Sequence, residues 1–306
     1  MKTLKNSSVF LALLALAAAS SAHAAPAFSS VSGAIYFGNS CPSNSPPKYN
    51  EVCATERVDS KSAVTYFDLL KLLYPKIQAN GSAEGSKAPR KDYGGFSLDP
   101  GQPGGSPLGP GSILYYLKTT QGESVRALIL QESSGLLGYF QVTPEAKLLD
   151  VVAVSQDMHV SLVPDKGLPI AARPGEFVFL TNNWHFNSSE NFAIYNLFLA
   201  GKDQIEFVYD GPFLYGFAMP EKEDCRLWQE LMPFAALPES QAGIPSLKMR
   251  VKEEVVCQGK TREIHKGAKS FEAKLSWDAA KGKYMGGSRE LHRLNQCRMD
   301  GKPNCP

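Results

Sequence analysis

The stretch SILYYLKTTQGESVRALILQESSGLLGYFQV, residues 112–142, decides the fold. It holds three short runs rich in Val, Ile, Leu, Tyr and Phe, with glycines between them, which is the rhythm of strands joined by short turns. Downstream the rhythm continues in AKLLDVVAV (146–154), MHVSLV (158–163), EFVFLTN (176–182), NFAIYNLFLA (191–200) and QIEFVYDG (204–211). Such a series predicts a mainly β chain of the α+β class. Its centre, residues 112–246, reads as an antiparallel β-sandwich or barrel-like meander. No repeat at about 40 to 50 residues supports a regular propeller. Ile205, Phe207 and Tyr209 alternate with Glu206, Val208 and Asp210, so that strand has a core face and a wetter one. RALIL and EFVFL are apolar throughout and belong in the middle of the structure.

Upstream, residues 81–111 contain 9 Gly and 5 Pro. A segment so poor in apolar surface cannot offset the entropy of ordering itself and reads as a linker or long surface loop, with Tyr93 and Phe96 as its only anchors. Before it, residues 25–80 read as a short strand, a loop and one helix. Val64, Phe67, Leu70, Leu73 and Tyr74 recur at helical spacing, Asp59, Ser60 and Ser62 offer capping oxygens, and Pro75 stops the helix. The apolar stripe is expected to be core.

Residues 1–24 have the form of a secretory signal: Lys2 and Lys5, the apolar run VFLALLALAAA, then Ala22 and Ala24 at a cleavage site. No cysteine follows to accept a lipid, and no later run approaches the roughly 18 apolar residues of a spanning helix. The expectation is a periplasmic or secreted protein without a membrane span. Removing Lys2 and Lys5 from the 32 basic residues leaves 30 against 30 acidic ones, which argues against nucleic acid as a partner. Charge is nonetheless segregated, with 8 Lys/Arg and 16 Asp/Glu in residues 112–247 but 14 and 7 in 248–302. The simplest account is attraction within one molecule.

The tail, residues 247–306, reads as a basic β-hairpin plus helix. In SFEAKLSWD, Phe271, Ala273, Leu275 and Trp277 share one face, SLKMRVKEEVV alternates likewise, and SRELHRLNQ is a helix with Ser288 as its cap. Six cysteines in an oxidising compartment predict disulfides. Near neighbours are the simplest pairing: Cys41 with Cys53, Cys297 with Cys305, and Cys225 with Cys257.

The sequence contains no G-x-S-x-G, H-E-x-x-H, Walker A loop or strand-linked G-x-G-x-x-G, and it suggests no cofactor and no metal. The candidate site is TNNWHFNSSEN, residues 181–191, a polar interval of about ten residues between two strands, longer than a tight hairpin needs. There Trp184 offers a stacking face, and Asn182, Asn183, His185 and Glu190 offer hydrogen bonds, a set suited to a polar ring such as a carbohydrate. The plainer reading is that Trp184 and Phe186 plug one end of the β core while the asparagines satisfy turns. The expected role is non-catalytic binding of a protein or polar ligand. The alternative is a secreted hydrolase of envelope or extracellular polymers such as glycans; a glycosidase requires two facing carboxyl groups that the sequence does not single out.

Overall fold

The chain reverses at Gly122 and Gly135, whose φ angles of 60° and 63° lie in the left-handed region that glycine enters without a Cβ clash. The runs of residues 112–142 thereby become one continuous antiparallel ladder. The computed structural model describes residues 28–42, 50–94, 108–109, 111–143, 145–155, 159–186, 191–217, 225–258 and 263–299. The expected signal segment, Phe96, Glu190 and Cys305 lie outside the described residues.

The first sheet is built from β1 (Phe28–Tyr36), β2 (Val52–Cys53), β3 (Lys91–Asp92), β4 (Leu114–Gln121), β5 (Ser124–Gln131), β6 (Leu136–Gln141) and β7 (Lys147–Ala153). Its order is β2-β1-β4-β5-β6-β7-β3, antiparallel except at the two edges, where β2 and β3 lie parallel to their neighbours. One face carries helix α1 (Tyr66–Leu73), which buries Leu69, Leu70 and Leu73 against Leu114, Ile129 and Phe140. The helix starts later than its sequence suggested. Thr65, not Asp59, Ser60 or Ser62, is the cap: its hydroxyl accepts from the Asp68 N–H at 3.1 Å and the Asp68 carboxylate accepts from the Thr65 N–H at 3.0 Å. Asp59 and Ser62 instead accept from the N–H groups of Lys61 and Val64 and shape the turn leading in.

The second sheet contains β8 (His159–Leu162), β9 (Ile170–Ala171), β10 (Phe177–Phe186), β11 (Asn191–Ala200) and β12 (Ile205–Phe217), in the order β12-β11-β10-β8 with β9 also on β10. Phe177, Phe179 and Phe198 pack against Leu128, Leu130 and Tyr139 of the first sheet. Two faces are thus buried on each of these sheets, which explains the uninterrupted apolar runs RALIL and EFVFL. In β12, Phe207 is paired with Phe198 and Tyr209 with Leu197, leaving Val208 as an extra residue. This bulge corrects the simple alternation read from sequence: Ile205 and Phe207 face the first sheet, whereas Val208 and Tyr209 face the third.

The third sheet holds β13 (Cys225–Leu231), β14 (Ala235–Gln241), β15 (Ile244–Gln258), β16 (Glu263–Asp278) and β17 (Lys283–Gly286), in the order β13-β15-β16-β17 with β14 on β15. Leu247, Met249 and Val251 pair across from Leu275, Ala273 and Phe271. Together they pack on Val178, Leu180 and Leu197 of the second sheet, and each fully buried large aliphatic side chain contributes roughly 1.5–3 kcal/mol. Helix α2 (Arg289–Met299) closes this core with Leu291 and Leu294, and Ser288 caps it by accepting from the Leu291 N–H. Residue 247, the expected start of the tail, falls inside β15, so the first strand of the hairpin begins three residues earlier, at Ile244.

The glycine- and proline-rich region is not loose over its described part. Ala83 is buried, β3 extends the first sheet, and Arg90 and Tyr93 anchor it to the second. Arg90 Nε and Nη2 donate to the Asp150 carboxylate at 3.0 and 2.9 Å, while the single hydroxyl hydrogen of Tyr93 is shared between the Ile205 carbonyl and Glu206, each 2.9 Å away. Composition hides these two residues, whose hydrogen bonds order the chain around them. Disulfides join Cys41 to Cys53 and Cys225 to Cys257, and Cys297 is also disulfide-bonded. Among the described residues no helix is long and apolar enough to cross a membrane.

Candidate functional site

Residues 181–186 are strand, not loop. β10 continues to Phe186, opposite Asn191 at the start of β11, so the connection shrinks to residues 187–190. Asparagine is depleted in strands, which is why the sequence suggested a long loop here; cross-strand pairing on both sides overrides that tendency. Strand geometry then sends alternate side chains to opposite faces. Asn182 and Trp184 point toward the third sheet. Asn183 and His185 take the other face, where Asn183 is buried and the His185 ring stacks on Phe192 at 4.5 Å and 11°. The expected cluster is therefore split, and the side chain of Glu190 lies outside the described residues. Trp184 is 36% exposed and does not plug the core.

On the face shared by Asn182 and Trp184, a cleft of about 350 Å³ opens beside β13. Asn182 stands between Ser161 of β8 and Tyr195 of β11, and Trp184 between His159 and Ala193. Trp228, Gln229 and Glu230 enter from β13, and Asp165 and Lys166 from the 3-10 turn that follows β8. Two of the chain's three tryptophans thus line one cleft. The turn ends at Gly167, at φ 74°, where a Cβ would strike the Phe234 carbonyl, and Phe234 N–H donates to the Lys166 carbonyl at 2.7 Å. These two features fix Lys166 over β13.

Lys166 Nζ lies 3.4 Å from Glu230 and 3.9 Å from Asp165, so one ammonium serves both carboxylates. Burial, and then the charges of Asp165 and Glu230, push the Tyr195 phenol up to about 12. Asn182 is 4% exposed, and its Oδ1 has no hydrogen-bond partner among the described residues. An unsatisfied buried acceptor of this kind costs roughly 1–3 kcal/mol. Gln229, in contrast, is held by Glu253 at 2.7 Å and Asn295 at 2.9 Å and stiffens the β13 wall. The arrangement offers aromatic surface, a hydroxyl donor, an amide acceptor and an ammonium flanked by carboxylates. Those are the groups a polyhydroxylated ring engages.

Sequence reasoning identified Asn182 and Trp184 but missed Tyr195, Trp228, Glu230, Asp165 and Lys166. The one local signal was Trp228 set among polar residues in CRLWQE, matching the setting of Trp184. Among the described residues no group of three or more His, Cys, Asp or Glu is placed to hold a metal ion. Comparison of the chain with protein-family models, with curated proteins and with solved structures finds no match.

Proposed function

We propose that this chain is an exported, non-catalytic binding protein that takes a sugar residue of an envelope or extracellular glycan in the cleft between Trp184 and Trp228. The observation that carries the reading is the buried, unpartnered Oδ1 of Asn182 in a cleft of about 350 Å³ walled by two tryptophans. That volume lies near the lower end of the roughly 300–1,000 Å³ typical of small-ligand sites and suits a single ring. Export is supported by the form of residues 1–24 and by the disulfides.

A glycan hydrolase is the second reading, favoured by one feature: Asp165 and Glu230 line the same cleft. Glycoside hydrolysis needs two carboxyl groups facing each other across the scissile bond. Here an ammonium bridges them instead, which favours recognition over catalysis.

The test is a glycan array probed with residues 25–306 as wild type, Trp184→Ala and Trp228→Ala. Binding of a defined set of glycans, weakened about thirtyfold or more in each variant, is expected for aromatic anchors of this kind. A blank array, or binding indifferent to both substitutions, removes the reading. Release of new reducing ends from bound glycans, lost in Glu230→Gln, would decide for the hydrolase.

A further inference from the structure

A second and larger cleft, of about 1110 Å³, lies between β12 and α2. Its apolar lining is Ile194, Tyr209, Met249 and Leu291, and its polar rim is the start of α2: Ser288, Arg289, His292 and Arg293. Gly286 and Gly287 keep this boundary free of side chains. Their φ angles of 122° and 133° favour glycine; a Cβ on Gly286 would strike the Lys274 carbonyl, and one on Gly287 would lie 3.0 Å from the Tyr209 hydroxyl.

The first turn of α2 is mixed in charge, with Glu290 suited to the helix dipole and Arg289 opposed to it. Arg289 and Arg293 are exposed, stand at i and i+4, and occupy the first turns, where the helix dipole disfavours positive charge. No described acidic side chain forms an ion pair with either. Asp210 is the only carboxylate among the described lining residues, and it sits beside Tyr209, whose phenol burial and the Asp210 charge push up to about 12. Two exposed guanidiniums beside an apolar lining, with Asp210 as the carboxylate among the described lining residues, suit an occupant that carries an anionic head and an apolar body.

We propose that this cleft binds an anionic amphiphile, with a carboxylate or phosphate head at Arg289 and Arg293 and a hydrocarbon tail along Tyr209, Met249 and Leu291. The site is independent of the Trp184 cleft. Residues 25–306 would be titrated calorimetrically with laurate, dodecyl phosphate, dodecanol and inorganic phosphate. One laurate or dodecyl phosphate per chain is expected, with dodecanol and inorganic phosphate binding at least about tenfold more weakly, the scale of one charge-assisted hydrogen bond. A stronger response to laurate points to a fatty acid, and one to dodecyl phosphate points to a phospholipid head. The double variant Arg289→Glu/Arg293→Glu should weaken laurate by about tenfold or more. Both positions are exposed, so its circular dichroism should match wild type; Arg289→Gln/Arg293→Gln, with no reversed charge, repeats the test if it does not. Trp184→Ala should leave laurate binding unchanged. No laurate binding, equal binding of dodecanol, or indifference to both double variants would overturn the proposal.

Discussion

Asp150→Ala is the substitution whose cost the structure defines most closely. The Asp150 side chain is 3% exposed and accepts from Arg90 Nε and Nη2 and from the Ile205 N–H at 2.8 Å, tying β3, β7 and β12 together. Removing it leaves the buried Ile205 N–H unsatisfied, at roughly 1–3 kcal/mol. Arg90 keeps its bond to the Ile205 carbonyl and is 39% exposed, so water takes over part of its lost pairing and that share is about 1 kcal/mol. The sum is about 2–4 kcal/mol, a large fraction of the 5–15 kcal/mol expected for a domain. Asp150→Asn, which keeps an acceptor for Ile205, should lose less, about 1–2 kcal/mol. Urea unfolding followed by circular dichroism reads both as a lower midpoint at constant slope. A loss under about 0.5 kcal/mol in Asp150→Ala would show that the glycine- and proline-rich segment is not anchored as described.

Three further outcomes follow from particular contacts. Replacing Cys225 and Cys257 by Ser opens a link across 32 residues and should cost about 3–4 kcal/mol on the chain-entropy account, read in the same urea experiment against the oxidised protein. Burial is the main cause that pushes the phenols of Tyr139, Tyr195 and Tyr209 up to about 12 from the ordinary 10.0. Nothing changes below pH 10, where both folded and unfolded chains are protonated; between about 10 and 12 the unfolded chain loses its protons first, so stability falls as pH rises. Absorbance at 295 nm should therefore show a late phenolate step coincident with unfolding, and a single step near 10 with the fold intact would contradict it. Thr65→Ala removes the hydroxyl half of the α1 capping box and should cost about 1 kcal/mol, visible as a lower thermal midpoint.

Much of the architecture was legible because it rests on periods. Phe271, Leu275 and Trp277 read as one face and are one face, and the doubly apolar runs RALIL and EFVFL sit where two sheets cover them. What escaped were features that break a period or depend on a distant partner. The Val208 bulge reverses an alternation that looked regular, and the Asp68 reply to Thr65 moved the start of α1. Arg90 looked like one charge in a featureless segment, because its partner Asp150 lies 60 residues on. The candidate site divides in the same way. Trp184 announced itself by its chemistry, but a loop was assumed where there is strand, so Asn183 and His185 were grouped with residues on the opposite face. Tyr195 joins it by pairing with Asn182 across β10 and β11, Lys166 by following β8, and Trp228 only through the stacking of the second and third sheets, contacts that no local pattern records.

The chain's three tryptophans allow the central claim to be tested in one experiment. Residues 25–306 carrying 5-fluorotryptophan would be titrated with glucose, galactose, mannose and N-acetylglucosamine and followed by fluorine NMR. Trp184 and Trp228 should shift together with one saturating sugar, while Trp277, 8% exposed and packed edge-on against Tyr284, should not move. Resonances of Trp184 and Trp228 that stay fixed with every sugar, or that respond independently of each other, would contradict a shared cleft that holds a polar ring.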